Sequence, residues 1–308
     1  MDSESPILQG RVAGGRRAGS IGHVAVWVLV LAITLGVSCL TPKPALAATS
    51  VSAKVSGSVD YRASYECLTK MNKLRQSKGL KTLKMDKALL KAAEQRAAEI
   101  SVAFAHVRPN GSSPATVSGY LRGEVIAKVM SGSNAYELWK GSPDHYANMV
   151  NSSFRTCGIC CFERSDLSNK DEGRTKWWVA VFGTSRSGSV KKSTAIKRKT
   201  SRVQIAKKYL TKKSISMYSG WMSEWVNEQA VVYFNPSFGF SSAILPNSLF
   251  NFKSSKKSVL TVNKSGVLTP KGRGKSRITA TLKGKKSCNT SATMKVDSGH
   301  FGEVHRFD

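Results

Sequence analysis

The pattern of apolar and polar positions divides the chain into stretches of different character. Val24 to Leu40 is an almost continuous apolar run, VAVWVLVLAITLGVSCL. From Tyr65 to Ser77, the residues Leu68, Met71 and Leu74 recur three apart, which predicts a helix. Gly79 marks its end. Asp86 stands where it would cap a second helix, DKALLKAAEQRAAEISVAF, with Leu89, Leu90, Ala93, Ala97 and Ile100 on one face. Ser142-Pro143 predicts a third helix running through Asn148, with Ser as N-cap and Pro at the first helical position. Lys176 to Gly183, KWWVAVFG, is an apolar run of strand length and predicts a strand buried in a sheet. From Ile215 onward the chain changes to short Val/Thr/Ser/Phe runs punctuated by Gly and Pro, the pattern of strands. Leu260 and Val262 alternate with Val259 and Thr261, Ile278 to Leu282 alternates likewise, and Asn263-Lys264-Ser265-Gly266 reads as a turn. No internal repeat is visible.

Charge changes the picture. The chain has 308 residues, a length that suggests two domains. Lys and Arg number 48 against 19 Asp and Glu, a formal charge of +29. That excess excludes an ordinary neutral surface and predicts polyanionic surroundings: nucleic acid, anionic lipid or an anionic wall. It is unevenly spread. Residues 61–185 hold 19 basic and 11 acidic residues, whereas Arg186 to Lys213 holds 11 basic residues and no acid. Such a block repels itself and reads as a linker. The expected organisation is a signal segment at 1–47, a Ser/Val/Gly-rich leader at 48–60 and a mixed domain at 61–185. A basic linker at 186–214, a β domain at 215–297 and a tail at 298–308 follow.

Arg11, Arg16 and Arg17, then the apolar run, then Ala45-Leu46-Ala47, follow the order of a secretory signal with cleavage after Ala47. The alternative is an uncleaved anchor, since about 17 apolar residues is near the lower limit for spanning. Arg16-Arg17 lacks the residues that usually follow a twin-arginine pair, and Gly36 stands where a lipoprotein site before Cys39 would have Leu. Export makes an intracellular nucleic-acid binder a poor account of the charge. Without Cys39, Cys67, Cys157, Cys160, Cys161 and Cys288 remain. Cys157-Gly-Ile-Cys160 has C-x-x-C spacing, but a zinc site needs about four ligands and no second such pair stands nearby. A disulfide framework is the expectation, with one thiol left over.

A family resemblance now becomes visible. It is carried by Asn72-Lys73-Leu74-Arg75, Gly79-Leu80-Lys81, Leu83-Lys84-Met85-Asp86 and Ala92-Ala93-Glu94-Gln95-Arg96-Ala97. It continues through Ala105-His106-Val107-Arg108-Pro109-Asn110-Gly111, Gly123-Glu124-Val125-Ile126-Ala127 and Trp139-Lys140-Gly141-Ser142-Pro143-Asp144-His145-Tyr146, and closes with Trp177-Trp178-Val179-Ala180-Val181-Phe182-Gly183. In this order the motifs resemble bacterial CAP domains, also called SCP-like. The resemblance implies an α+β fold, a CAP-type α-β-α sandwich with an antiparallel sheet between helical layers. It also implies a cleft with two His and two acids, matched here by His106, Glu124 and His145, with Glu137 as candidate for the second acid. One departure is plain: Val125 follows Glu124 where the family commonly has Asn.

The chemistry can be weighed on the residues themselves. A helix N-terminus disfavours imidazolium, so His145 is expected to be neutral at pH 7 and able to ligate a metal or accept a proton. His106 and His145 could hold zinc or another divalent cation, with Glu124 orienting a water or a ring. Glu124 or Glu137 could instead act as a general base. The same four side chains could also form a satisfied hydrogen-bond network that binds or merely fixes loops. No H-E-x-x-H, G-x-S-x-G or P-loop supports a particular hydrolase. Trp139, Trp177 and Trp178 could line a groove, but at helix and strand positions they read as core.

Lys253 to Val296 resembles the C-terminal half of bacterial immunoglobulin-like domains of the group-two type, which implies a small all-β sandwich serving as spacer or adhesion module. The expectation is a secreted or cell-envelope protein on an anionic wall or membrane surface, with a cleft for a small apolar, lipidic or wall-derived ligand. The alternative is a metal-assisted hydrolase acting on peptide or wall material. No recognised motif points to specific nucleic-acid binding.

Overall fold

The computed structural model describes residues 49–130, 135–167, 175–223, 227–235 and 243–297. The signal segment, the tail, Cys39, His300 and His305 lie outside the described residues. The first part of the described chain runs β1 (Ser50–Asp60), α1 (Tyr61–Ser77), β2 (Lys84–Met85), α2 (Lys87–Ile100) and β3 (Gly123–Met130). It continues through α3 (Ala135–Lys140), α4 (Pro143–Met149), β4 (Thr156–Arg164), β5 (Thr175–Gly183) and β6 (Ile196–Ala206). The sheet order is β3-β5-β4-β1-β6, antiparallel throughout, with short β2 parallel to β4. The KWWVAVFG run is β5, between β3 and β4, and its Val179 to Phe182 are fully buried.

Helix ends follow the local chemistry. Asp60 caps α1 by accepting from the Ala63 amide at 2.9 Å. Gly79, at φ +68, lets the chain leave α1 in a left-handed turn open to glycine. Asp86 caps α2 through the Ala88 and Leu89 amides, at 3.0 and 3.2 Å. The same carboxylate accepts from the Ser187 and Gly188 amides at 2.7 and 3.0 Å, so one acid fixes both the start of α2 and the chain after β5. Burial pushes its pKa up, but a hydrogen bond from the Ser187 hydroxyl, together with these amides, outweighs burial and holds it below the usual value. Ser142 takes the N-cap place of α4 with Pro143 following, yet its side chain makes no capping bond, contrary to the sequence expectation.

Helices lie on both faces of the sheet. A Cβ on Gly158 would meet the Leu89 carbonyl oxygen at 2.0 Å, so α2 crosses β4 on that face in direct backbone contact. Helix α1 also packs against β4, where the Cys161 amide donates to Ser64 Oγ at 3.1 Å. This is consistent with the expected α-β-α layering. Buried Arg75 holds the far ends of helices together, donating to the carbonyls of Lys81, Met149, Asn151 and Phe154 at 2.8–3.1 Å.

Two stretches differ from expectation. The 48–60 leader is β1, and the 186–214 linker contains β6. The two pair over eleven residues, from Ser50 opposite Ala206 to Asp60 opposite Ile196. Ala53, Val55 and Val59 of β1 and Val203 and Ile205 of β6 are buried. An edge strand needs one buried face only, so β6 can carry Lys and Arg on its other positions; edge cations also discourage strand addition.

The part from residue 215 contains strands and a single 3₁₀ turn (Asn247–Leu249) among the described residues. The strands are β7 (Ile215–Ser216), β8 (Gly220–Ser223), β9 (Glu228–Gln229), β10 (Val232–Phe234) and β11 (Ala243–Leu245). They continue with β12 (Phe250–Ser254), β13 (Leu260–Val262), β14 (Val267–Pro270), β15 (Gly274–Leu282) and β16 (Asn289–Asp297). Sheets β12-β15-β16-β8, β11-β10-β7 and β13-β14-β9 enclose Phe234, Phe250, Leu260, Leu268, Ile278, Leu282 and Val296. The predicted turn is present: Gly266 has φ +78, and Asn263 Oδ1 accepts from the Ser265 and Val267 amides, each at 2.9 Å.

Candidate functional site

The site grows from the buried face of α2. Arg96 and Glu99 sit one turn apart among Ala93, Ala97 and Ile100, and both are buried. Charges are tolerated there only when paired. Arg96 Nη1 donates to Glu99 Oε2 at 2.8 Å. Its Nε and Nη2 grip the carboxylate of Glu124, the second residue of β3, at 2.7 and 3.1 Å. Nη2 also reaches the carbonyls of Ala105 and His106, at 2.8 and 3.2 Å. Arg108 closes the set from the loop, donating to Glu99 Oε1 at 2.7 Å and to Thr116 Oγ1 at 2.9 Å. Arg96 thereby joins α2, the His106 loop and the start of β3.

His106 stands at the rim of this network. Its Nδ1 lies 2.9 Å from Glu124 Oε1, while half of its side chain is exposed. Burial raises the pKa of Glu124, but hydrogen bonds from His106 and Arg96 and the Arg96 charge outweigh burial and lower it. An ionised carboxylate can only accept, so His106 presents Nδ1–H to it and, when neutral, keeps its lone pair on Nε2. Glu99 is lowered in the same way: burial opposes, and Arg108 and Arg96 prevail. His145, on α4, is partly buried, and its pKa is lowered first by burial and then by the charge of His106. The expected direction holds, with burial as its first cause.

Glu137 lies exposed on α3 and is not among the partners of Arg96. The structure joins Glu124 to His106, while His145 stands on α4. The sequence reading missed Arg96, Glu99 and Arg108 as members of the site. The signal was available in α2, where a basic and an acidic residue three apart interrupt an otherwise apolar face.

Among the described residues, no group of three or more His, Cys, Asp or Glu side chains is placed to hold a metal ion. Glu124 has both oxygens engaged, so it suits orienting a ligand His rather than binding an ion itself. The donor set is two imidazoles, short of a closed zinc site. The cysteines correct the disulfide expectation: Cys67, Cys157, Cys160, Cys161 and Cys288 are all buried free thiols. Cys160 and Cys161 point to opposite faces of β4. Cys157 and Cys160 are about 10 Å apart along it, beyond the roughly 7 Å that a bridge can span. Burial pushes the thiols of Cys67 and Cys161 up to about 12. Trp139, Trp177 and Trp178 are core, and Trp139 Nε1 donates to the Ile126 carbonyl at 3.1 Å. A hollow of about 420 Å³ lies between α2 and β6, lined by Lys91, Gln95 and Lys199 among others and by none of the four expected site residues.

Residues 68–182 match the profile of the cysteine-rich secretory protein family, CAP. No curated protein matches the chain. Among solved structures, an outer surface protein from Borrelia burgdorferi is similar at 16% identity and a TM-score of 0.32, over 40% of this chain and 93% of that one. An extracellular protein containing an SCP domain, from Bacillus anthracis, is similar at 16% identity and a TM-score of 0.32, over 40% of each chain.

Proposed function

We propose that this chain, which carries a CAP domain at residues 68–182, is an exported protein held at an anionic cell envelope. The face around His106 and His145 binds a small apolar, lipidic or wall-derived ligand without turning it over. One observation carries the reading: both oxygens of Glu124 are committed to Arg96 and His106, so this carboxylate holds the His106 ring in place and is not itself free to take a proton. The ring of His106 is instead oriented from behind, with Nε2 available to a ligand. The apolar side chains left exposed include Val107, Tyr120 and Leu138, each within a few residues of His106, Glu124 or Glu137, which suits a partner of mixed polarity. A divalent ion, if one binds, is held by His106 and His145, with Glu124 fixing the first ring. The region from 215 to 297 serves as an immunoglobulin-like spacer, a reading supported by the strands that make up most of its described residues.

Native mass spectrometry of the protein, incubated with a total lipid extract and a wall digest, tests this. Wild type should carry a small-molecule adduct, and the His106→Ala/His145→Ala double variant should lose at least about tenfold in occupancy. Equal occupancy, or no adduct on wild type, would sink the proposal. Zinc titration of the same pair reads the metal question: identical heats would remove the ion from the site.

A further inference from the structure

The cations of β6 divide by face. Lys197 lies over the ring of Tyr61, 5.9 Å from its centroid, and Lys199 pairs with Glu94 at 3.0 Å. Those odd positions share the face of buried Val203 and Ile205 and are matched by the domain itself. The even positions are not. Arg198 and Arg202 are exposed, and among the described residues no acid pairs with either. Across the ladder, Arg202 stands directly opposite Lys54 of β1, which is also exposed and, among the described residues, also without an acid. Two like charges in directly opposed positions destabilise a sheet by themselves. Hydroxyls fill the interval between the cations: Ser56 opposes Thr200 with their oxygens 3.0 Å apart, and Ser58 opposes Arg198. The acid that follows across the sheet, Glu163 of β4, is one strand further on, between Ser58 of β1 and Lys176 of β5 in the ladder, and forms no ion pair with Arg198 among the described residues.

We infer that this two-stranded face, Lys54, Arg198 and Arg202 with Ser56 and Thr200 between them, is a binding surface for a linear phosphate polymer. Arg202 stands four positions on from Arg198, so the two lie about 13 Å apart along one strand. A single small anion cannot bridge that interval, but a chain with repeated charges can. Guanidinium forks match phosphate oxygens two at a time, and whichever hydroxyl of the Ser56–Thr200 pair accepts from the other keeps its own proton for an oxygen between. A face of two strands paired over eleven residues offers an extended chain contacts along its length. The inference deepens the proposed envelope retention by assigning it a surface and a chemical class.

The test uses the full exported chain and long-chain inorganic polyphosphate as probe. Lys54→Gln/Arg198→Gln/Arg202→Gln is compared with Lys253→Gln/Lys256→Gln/Lys257→Gln, which removes the same charge from exposed positions of the C-terminal part. The first triple should weaken polyphosphate binding at least about tenfold and lower the salt slope by about three. The control should change affinity less than threefold. Equal losses in both triples would overturn the surface, because net charge alone would then explain binding. Tighter binding of duplex DNA or of phosphatidylglycerol vesicles than of polyphosphate, at one salt concentration, would overturn the chemical class. Sedimentation with isolated cell walls separates this from the retention reading: if both triples still sediment like wild type, the surface fails and retention stands, whereas a wild type that does not sediment at low salt removes retention itself.

Discussion

Two groups of cations in the same domain behave in opposite ways. Arg75, Arg96 and Arg164 are buried, and each spends its donors on fixed partners. Arg75 holds carbonyls alone, while Arg96 and Arg164 also meet carboxylates. Lys54, Arg198 and Arg202 are exposed on the β1–β6 face and meet no acid among the described residues. The first group shapes the domain; the second leaves it with unspent charge. A net charge of +29 adds the two together and cannot tell them apart. Burial and partners can.

The sharpest way to break this contrast is to remove Arg96. Its loss leaves Glu124 and part of Glu99 buried without a counter-charge, which typically costs about 3–5 kcal/mol. Arg96→Ala should therefore shift the urea midpoint strongly. Arg96→Leu combined with Glu124→Leu should recover much of that loss, since no orphan charge remains at Glu124. A double variant no better than the single would show that the pair works through shape rather than charge.

Acid should act next. Glu99 and Glu124 have folded pKa values below their unfolded values of about 4.3. Their contribution is thus fully present above that pH and is lost as pH falls through the depressed folded values. Stability measured from pH 7 downward should hold to about pH 5 and then decline. Glu124→Gln should start lower at pH 7 and decline less steeply. An unchanged acid limb in that variant would show that Glu124 is not held ionised.

Much of this was legible in the sequence, and the failures have physical causes. Asp86 as a cap and Lys176 to Gly183 as a buried strand follow from local rules, and both stand. His106 and Glu124 could be named by motif, but their hydrogen bond depends on a turn between α2 and β3 that no local rule fixes. Arg96 was hidden because a helical Arg is normally a solvated one. β1 and β6 were misread because charge and small residues drew attention from Val51-Ala53-Val55 and Val203-Ile205, whose alternation is the strand signal. The cysteines misled for a related reason: C-x-x-C spacing suits a loop, whereas an extended strand separates and opposes the thiols.

His106 tests the border between the two groups. It touches the buried network but is half exposed, so its link to Glu124 is worth about 1 kcal/mol or less. His106→Ala should leave the urea midpoint nearly unchanged while abolishing ligand occupancy. A stability loss as large as that of Arg96→Ala would move His106 into the structural group and undo its assignment as a binding residue.

The smallest effect is expected at Arg202. An exposed side chain without a fixed partner contributes within about 0.5 kcal/mol of zero. Here the sign is also defined. Lys54 lies directly opposite in the ladder, so Arg202→Thr removes a like-charge pair and places a β-branched residue on an edge strand. Both changes favour the fold, and the variant should be equally stable or slightly more stable than wild type at low salt. The gain should shrink as salt rises, because exposed charges are screened over about 10 Å at 0.1 M. Lys54→Thr should behave alike, and the double variant should add little beyond either single, since each removes the same repulsion. A clear loss of stability in Arg202→Thr would place Arg202 with Arg96, as a residue the domain needs for itself. A neutral or positive result, together with weakened polyphosphate binding, would show a cation kept for a partner rather than for the fold.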